Sequence, residues 1–413
     1  MLGNIVRADY FDGTWDTFGY NKNGDLIEAA NQDTTLKFER DQSGQIIREW
    51  QDGNWVASEY DELGIRTRIS SSLGAKIEVE RNQMGQASRV AARQNGSSAW
   101  IAQMQYNGLG QEIERMLPGD IVSHWQHDVT GKPTAHRIQN SQRDTRRHSY
   151  AWGINDQLRK MTNELAGSRI HYSYDEFSNL VGSGNKDGSV SVHRSADNVG
   201  NLYEEQDKSD RIYGAGSRLE KSGVNTKELR SPQYGGKGKL VTKGTEFTYD
   251  DEGNLIGKTS AIGDAWRYEY FGNGMLSKVI LPDDSEVTFK YDPLGRRIWK
   301  KTSESEKTFV WDGNNPLHEL ENGELVTWVF DDGFVPTAKI TGDGHFSIIS
   351  DYLGTPVEAY DADGNLVWAV DLDIYGRVSA LKGDVDFIPF RYQGQYDIMV
   401  LGNWTWKLKI LME

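Results

Sequence analysis

The sequence predicts an all-β fold built from a tandem repeat. Three observations carry that reading. Glycines 253, 274 and 295 recur every 21 residues, and each sits in the same short motif. The residues flanking those glycines alternate apolar and polar. No stretch of the 413 residues shows a long helical period. A fixed period in this range is the signature of a repeat architecture, and period-2 alternation bounded by glycine turns is that of strand–turn–strand.

The motif has an aromatic residue, usually an Asp, two free positions, a Gly, a polar residue and an apolar one. Its clearest copies are Tyr249-Asp250…Gly253-Asn254-Leu255, Tyr270-Phe271…Gly274-Met275-Leu276, Tyr291-Asp292…Gly295-Arg296-Arg297 and Tyr360-Asp361…Gly364-Asn365-Leu366. Asp leads a tight turn because its carboxylate accepts from backbone N–H groups two residues on. Gly closes it, where a left-handed or bulged backbone penalises a Cβ. Between turns, Trp266, Tyr268 and Tyr270 share one face and Arg267 and Glu269 the other. Val287, Phe289 and Tyr291 repeat this against Thr288 and Lys290. Each unit is thus about two strands. A lone hairpin is marginal in water, so neighbours are expected to stack side by side in a continuous sheet.

The motif is legible from the start of the chain: Tyr20…Gly24, Arg40-Asp41…Gly44, Tyr60-Asp61…Gly64, Asn82…Gly85, Tyr106-Asn107…Gly110 and His127-Asp128…Gly131. It continues, worn, through Trp152 (with Asp156 in the glycine position), Tyr174-Asp175…Ser178 and Asp197…Gly200. Between 203 and 246 the register blurs in a Gly/Ser/Lys-rich segment. Four regions follow: 1–202, a first stretch of repeats; 203–246, an irregular connection; 247–396, a second stretch; and 397–413, a divergent tail.

A net charge of −15 argues against nucleic acid as a partner, since phosphate binding needs a basic surface. With no cysteine there is neither a disulfide nor a thiolate metal site. The N-terminus MLGNIVRADYFDG lacks the basic and apolar segments of a signal peptide, and no apolar run is long enough to span a bilayer.

These motifs, with SSLGAKIEVERNQMGQ (71–86), WDGNNPLHEL (311–320), DYLGTPVEAYDADGNLVW (351–368), DIYGRV (373–378) and PFRYQGQY (389–396), make the chain resemble the Rhs/YD-repeat family, the shell-forming parts of bacterial polymorphic toxins. The resemblance runs from about Asp9 to Tyr396. It implies a β-sheet spiral forming part of a hollow shell around an unfolded C-terminal toxin, with no cofactor. It also implies partners that are the toxin cargo and components of a type VI or contact-dependent secretion system. The expected location is the cytoplasm of the producing bacterium, followed by export through such a system. In the family, the stretch after the PFRYQGQY-like segment leads to a self-cleaving aspartyl motif and the toxin. Here it reads DIMVLGNWTWKLKILME, and the N-terminal side carries no PAAR-like delivery domain, so the expectation is an orphan or truncated shell.

Several residues invite a chemical role and are weighed against a plain one. Asp292-Pro293-Leu294-Gly295 resembles the family's cleavage motif but sits in a regular repeat, so a turn is expected. His124 and His127 are spaced like zinc ligands, yet in a strand i and i+3 point to opposite faces. Asp361-Ala362-Asp363-Gly364-Asn365 looks like half a calcium loop but lacks the closing Glu. No metal and no catalysis are expected. A hydrolase hidden in 203–246 is disfavoured because that stretch holds no His. The Tyr and Trp rows read as cross-strand ladders; the alternative is a carbohydrate or cell-surface binding module using their ring faces. The open sheet edges and the alternating run Trp404–Leu411 are expected to promote self-association.

Overall fold

A computed structural model describes residues 3–141, 143–185, 191–223, 226–230, 237–241, 244–331 and 333–396. The tail 397–413, with its Trp404–Leu411 run, lies outside the described residues. Among the described residues the regular structure is antiparallel strand, apart from two 3-10 turns at Ile154–Asp156 and Ala215–Ser217. The fold is all-β.

Two compact units emerge: one from residues up to His148 together with those from Phe289 onward, the other from Ser149 to Thr288. In the first unit, strands from Arg7–Asp9 to Pro133–Asn140 each pair with the next in sequence. A second meander runs in the same way from Arg297–Lys301 to Val378–Lys382. The second unit holds the meander Thr245–Tyr249, Leu255–Thr259, Ala265–Tyr270 and Leu276–Ile280, with Arg211–Tyr213 and Leu219–Ser222 ahead of it. It also contains Leu158–Asn163, Ser168–Tyr174 and Leu180–Gly184, and the hairpin Thr226–Arg230 with Lys237–Val241.

Alternation sets the faces as the residue pattern demands. On Ala265–Tyr270, Trp266 and Tyr268 are buried while Arg267 and Glu269 are exposed. A bulge recurs where the aromatic slot falls: the register shifts between Glu59 and Tyr60, Gln105 and Tyr106, Thr248 and Tyr249, and Glu269 and Tyr270. The extra residue tilts the ring off the ladder and increases local twist.

The core of the first unit draws on both its meanders. Ala92, Trp100, Ala102, Ile121 and Ile138 pack with Leu317, Val329, Ala338, Ile340 and Tyr360. In the first meander burial concentrates at the strand ends away from the motif turns, at Gln51, Ser71, Gln94 and Leu117. In the second it concentrates at the motif-turn ends, at Val310, Trp311, Trp328, Val329, Ile348, Ile349 and Tyr360. The two meanders therefore meet plain-hairpin rim to motif-turn rim. On the second meander, the segment carrying PFRYQGQY folds back: Ile388 and Phe390 pack on Trp328, Trp368 and Val370.

Candidate functional site

The repeat turn at Tyr249–Leu255 shows what each motif position does. Asp250 N–H donates to the Asn254 carbonyl (3.0 Å), and Gly253 N–H donates to the Asp250 carbonyl (3.2 Å). The Asp250 carboxylate accepts from Asn254 N–H at 2.8 Å and from the Asn254 side-chain amide at 2.9 Å. That amide leads the interactions holding the half-buried Asp250 carboxylate below its usual range. Gly253 has φ +96°, left-handed backbone that a side chain resists. Asp361 repeats the pattern with Asp363, Asn365 and the Asn365 amide, which accounts for the acidic loop as a turn. At Tyr270–Leu276, where Phe271 holds the Asp slot, Asn273 supplies the acceptor to Met275 N–H (3.1 Å), and Gly274 keeps φ +81°.

The aromatic slot has a polar function that alternation did not reveal. The Tyr270 hydroxyl donates to the Leu255 carbonyl, two residues past the preceding turn's glycine, at 2.9 Å. Tyr60 reaches Ile46 (2.8 Å), Tyr106 reaches Ala87 (2.8 Å) and Tyr249 reaches Leu219 (2.9 Å) in the same way. Trp311 substitutes its indole N–H toward the Arg297 carbonyl, 2.9 Å away. In these units the ring staples the turn before it. Side-chain amides add a second ladder: Gln45 donates to the Gly64 carbonyl (2.8 Å) and Gln86 to that of Gly110 (2.6 Å).

Two motif copies with altered residues follow the same plan. Gly153 N–H bonds the Gln157 carbonyl, with Asp156 at φ +60° in the glycine position. Gly214 N–H bonds the Arg218 carbonyl, with Ser217 at φ +60°. The latter is a repeat turn inside 203–246, where the sequence register blurs. Tyr213 caps the Leu202 carbonyl from it, and Leu219 in turn accepts from Tyr249.

Tyr291, Asp292 and Tyr360, motif members by sequence, stand in the seam between the two meanders of the first unit. Asp292 is only 2% exposed. Its carboxylate accepts from Leu294 and Arg296 N–H (2.9 Å each) and from Arg296 Nε (2.6 Å), so it serves as a turn residue and ion-pair partner. Arg296 also donates to Glu49 (2.6 Å) and to the Gly313 carbonyl (2.7 Å). Burial pushes both carboxyls upward, and the shared guanidinium opposes it. Gly295, beside them, has φ +81°. The Tyr291 carbonyl accepts from the Asn31 amide (2.9 Å), and the Tyr360 hydroxyl donates to Glu358 (2.6 Å) and accepts from the Thr145 hydroxyl (2.9 Å).

The rest of the seam is as polar. The Gln51 amide bonds both the N–H and the carbonyl of Trp311, at 2.8 and 2.6 Å. Arg66 grips Asp312, Arg115 grips Asp331 at 2.6 Å, and Arg146 meets Glu358 at 3.3 Å. Asn140 donates to the Gly364 carbonyl. Gly364, φ +82°, lies so close that a Cβ there would sit 2.2 Å from the Gly119 carbonyl oxygen. Glycine is required at this position for space as well as for backbone conformation.

His124 and His127 lie on the strand Ile121–His127, where His124 is 3.4 Å from Glu114. Among the described residues no group of three or more His, Cys, Asp or Glu is placed to hold a metal ion. Trp100, Trp328 and Trp368 are wholly buried, whereas Trp15, Trp50, Trp55, Trp125 and Trp299 are half-buried.

Residues 178–400, just over half of the chain, match the family described as Teneurin YD-shell. The chain is 24% identical to Double-stranded DNA deaminase toxin A of Burkholderia cenocepacia, over 87% of this chain and 26% of that protein. It is 25% identical to Toxin protein Tse5 of Pseudomonas aeruginosa, over 90% of this chain and 33% of that one. The crystal structure of TcdB2-TccC3-TEV shares its fold, with a TM-score of 0.65 at 13% identity, covering 95% of this chain and 24% of that one. The chain thus spans about a quarter to a third of the length of the curated relatives it matches. Among the described residues no helix is long and apolar enough to cross a membrane.

Proposed function

The chain belongs to the Teneurin YD-shell family, the YD/Rhs repeat class that its motifs resemble, and from that premise we propose that it is an encapsulating wall. Its role is to form part of a shell around an unfolded toxin polypeptide, and it carries out no chemistry of its own. The observation that carries this reading is the use made of the motif. Its Asp, Gly, Asn and Tyr groups close turns and staple neighbours, and the carboxylates of the seam are held by arginines. A repeat whose polar groups are spent on one another builds a surface and leaves few to act on a substrate.

In this reading the cargo is the natural partner, a secretion system carries the loaded shell from the producing cell, and the stretches 1–202 and 247–396 form the wall. The name of the deaminase-toxin relative supports a toxin system, and the fold likeness to TcdB2-TccC3 supports the architecture. The test is protease protection. The full chain is fused to an unstructured polypeptide of about 100 residues and digested with a nonspecific protease. The fused polypeptide should outlast the same polypeptide free in solution. Digestion at equal rates while the wall stays intact would remove the proposal.

A further inference from the structure

The seam of the first unit contains a buried histidine that no catalytic or metal reading uses. His318 is 1% exposed and lies on the second meander. Its Nε2 is 2.7 Å from the Ser71 hydroxyl of the first meander, and its Nδ1 is 3.0 Å from Thr327 on the next strand. Thr327 in turn donates to the Gln94 side chain of the first meander. The imidazole therefore closes a chain of hydrogen bonds, Ser71–His318–Thr327–Gln94, that starts and ends on one side of the seam and passes through the other.

We propose that His318 is an acid-sensitive latch, which holds the two meanders together while its ring is neutral and releases them locally when the ring takes up a proton.

Geometry gives the reason. Among the described residues no charge acts on the ring: its neighbours in the chain of bonds are two hydroxyls and an amide, and only the Val326 backbone favours its protonated form. On its own strand Glu319 is paired with Lys307 (3.1 Å) and the Trp328 indole (2.8 Å). On the adjoining strand Glu306–Asp312, Asp312 is held by Arg66; on Arg66–Ser71 of the first meander, Arg68 is held by Glu59 and Glu78. On Ala75–Arg81, Lys76 pairs with Glu78; on Ala87–Gln94, Arg89 pairs with Glu80. A cation formed at His318 would be dry and without a counter-charge, which is costly unless the site opens to water.

Burial pulls its pKa from 6.5 to about 4. The closed seam therefore binds fewer protons than the open one, so closure is fully favoured above about pH 6.5 and weakens as pH falls. Between pH 7.4 and pH 5 the shift corresponds to about 30-fold in the local opening equilibrium. His136 and His148, buried beside Arg146 in the same unit, push in the same direction. Glu49, Asp292 and Glu358, whose pKa values burial raises, push in the other. The latch must for that reason be read as a difference between variants rather than as overall acid stability.

The experiment is hydrogen exchange of the full chain at pH 7.4 and pH 5, corrected for intrinsic rates, in wild type and His318→Gln. Glutamine retains a donor and an acceptor but cannot be protonated in this range. In wild type, strands 66–71, 89–94, 315–321 and 324–330 should lose protection at pH 5. The hairpin 265–280 of the second unit should not. In His318→Gln most of that pH dependence should vanish. Unchanged wild-type protection at pH 5, or equal pH dependence in both proteins, would overturn the latch. If His318→Gln does not fold, histidine-labelled NMR of wild type decides. The His318 ring should titrate together with the loss of seam protection; an ordinary midpoint near 6.5 with the seam still protected would overturn the proposal.

Discussion

Arg296 and Glu49 stand 247 positions apart in the chain, yet their side chains meet at 2.6 Å with each only 6% exposed. Asp292 completes the cluster from the other side of the guanidinium. Removing Arg296 alone leaves two buried carboxylates without a counter-charge. Arg296→Ala should therefore cost about 3–5 kcal/mol in urea unfolding. Replacing all three groups with apolar residues of similar volume should cost much less. Equal losses in both variants would mean that packing, and not charge compensation, dominates at this point of the seam.

The motif glycines separate two kinds of constraint. Gly274 has φ +81° but open space around a would-be Cβ, whereas at Gly364 the Cβ would meet the Gly119 backbone. Gly274→Ala should lose about 1 kcal/mol, from backbone conformation alone. Gly364→Ala must also shift the seam and should lose clearly more. Indistinguishable melting of the two proteins would contradict the close approach.

The tyrosine staple predicts a contrast within one strand. Tyr270 donates to the Leu255 carbonyl, while Tyr268, buried on the same face, makes no such bond among the described residues. Tyr270→Phe should lose about 0.5–1.5 kcal/mol, and Tyr268→Phe should lose less. Thermal or urea midpoints of the two variants measured side by side check this.

Asp292-Pro293 is a turn in an ion-pair cluster, so the purified chain should keep its full mass on incubation at neutral pH. Intact-mass spectrometry over days is the measurement. A fragment ending at Asp292, absent in Asp292→Asn, would restore the cleavage reading.

How far the chain could be read from sequence follows from the range of each interaction. The turn Tyr249–Leu255 was legible because Asp250, Gly253 and Asn254 act on one another within a few residues. The buried face of Ala265–Tyr270 was legible from alternation; the bulge between Glu269 and Tyr270 was not. The turn at Tyr213–Leu219 was not, because Gly214 and Ser217 replace the Asp and Gly that signal it, though the φ of Ser217 is the one a glycine would adopt. The seam was hidden for a different reason. Its contacts join residues from 212 to 260 positions apart, and nothing local distinguishes Tyr360 in the seam from Tyr249 outside it.

Enclosure is best tested by small-angle neutron scattering on the full chain fused to a deuterated unstructured polypeptide of about 100 residues, with the protein wall contrast-matched. A polypeptide held inside a shell should show a radius of gyration well below the ~30 Å of a free unfolded chain of that length. A value equal to that of the free chain would contradict the encapsulating role.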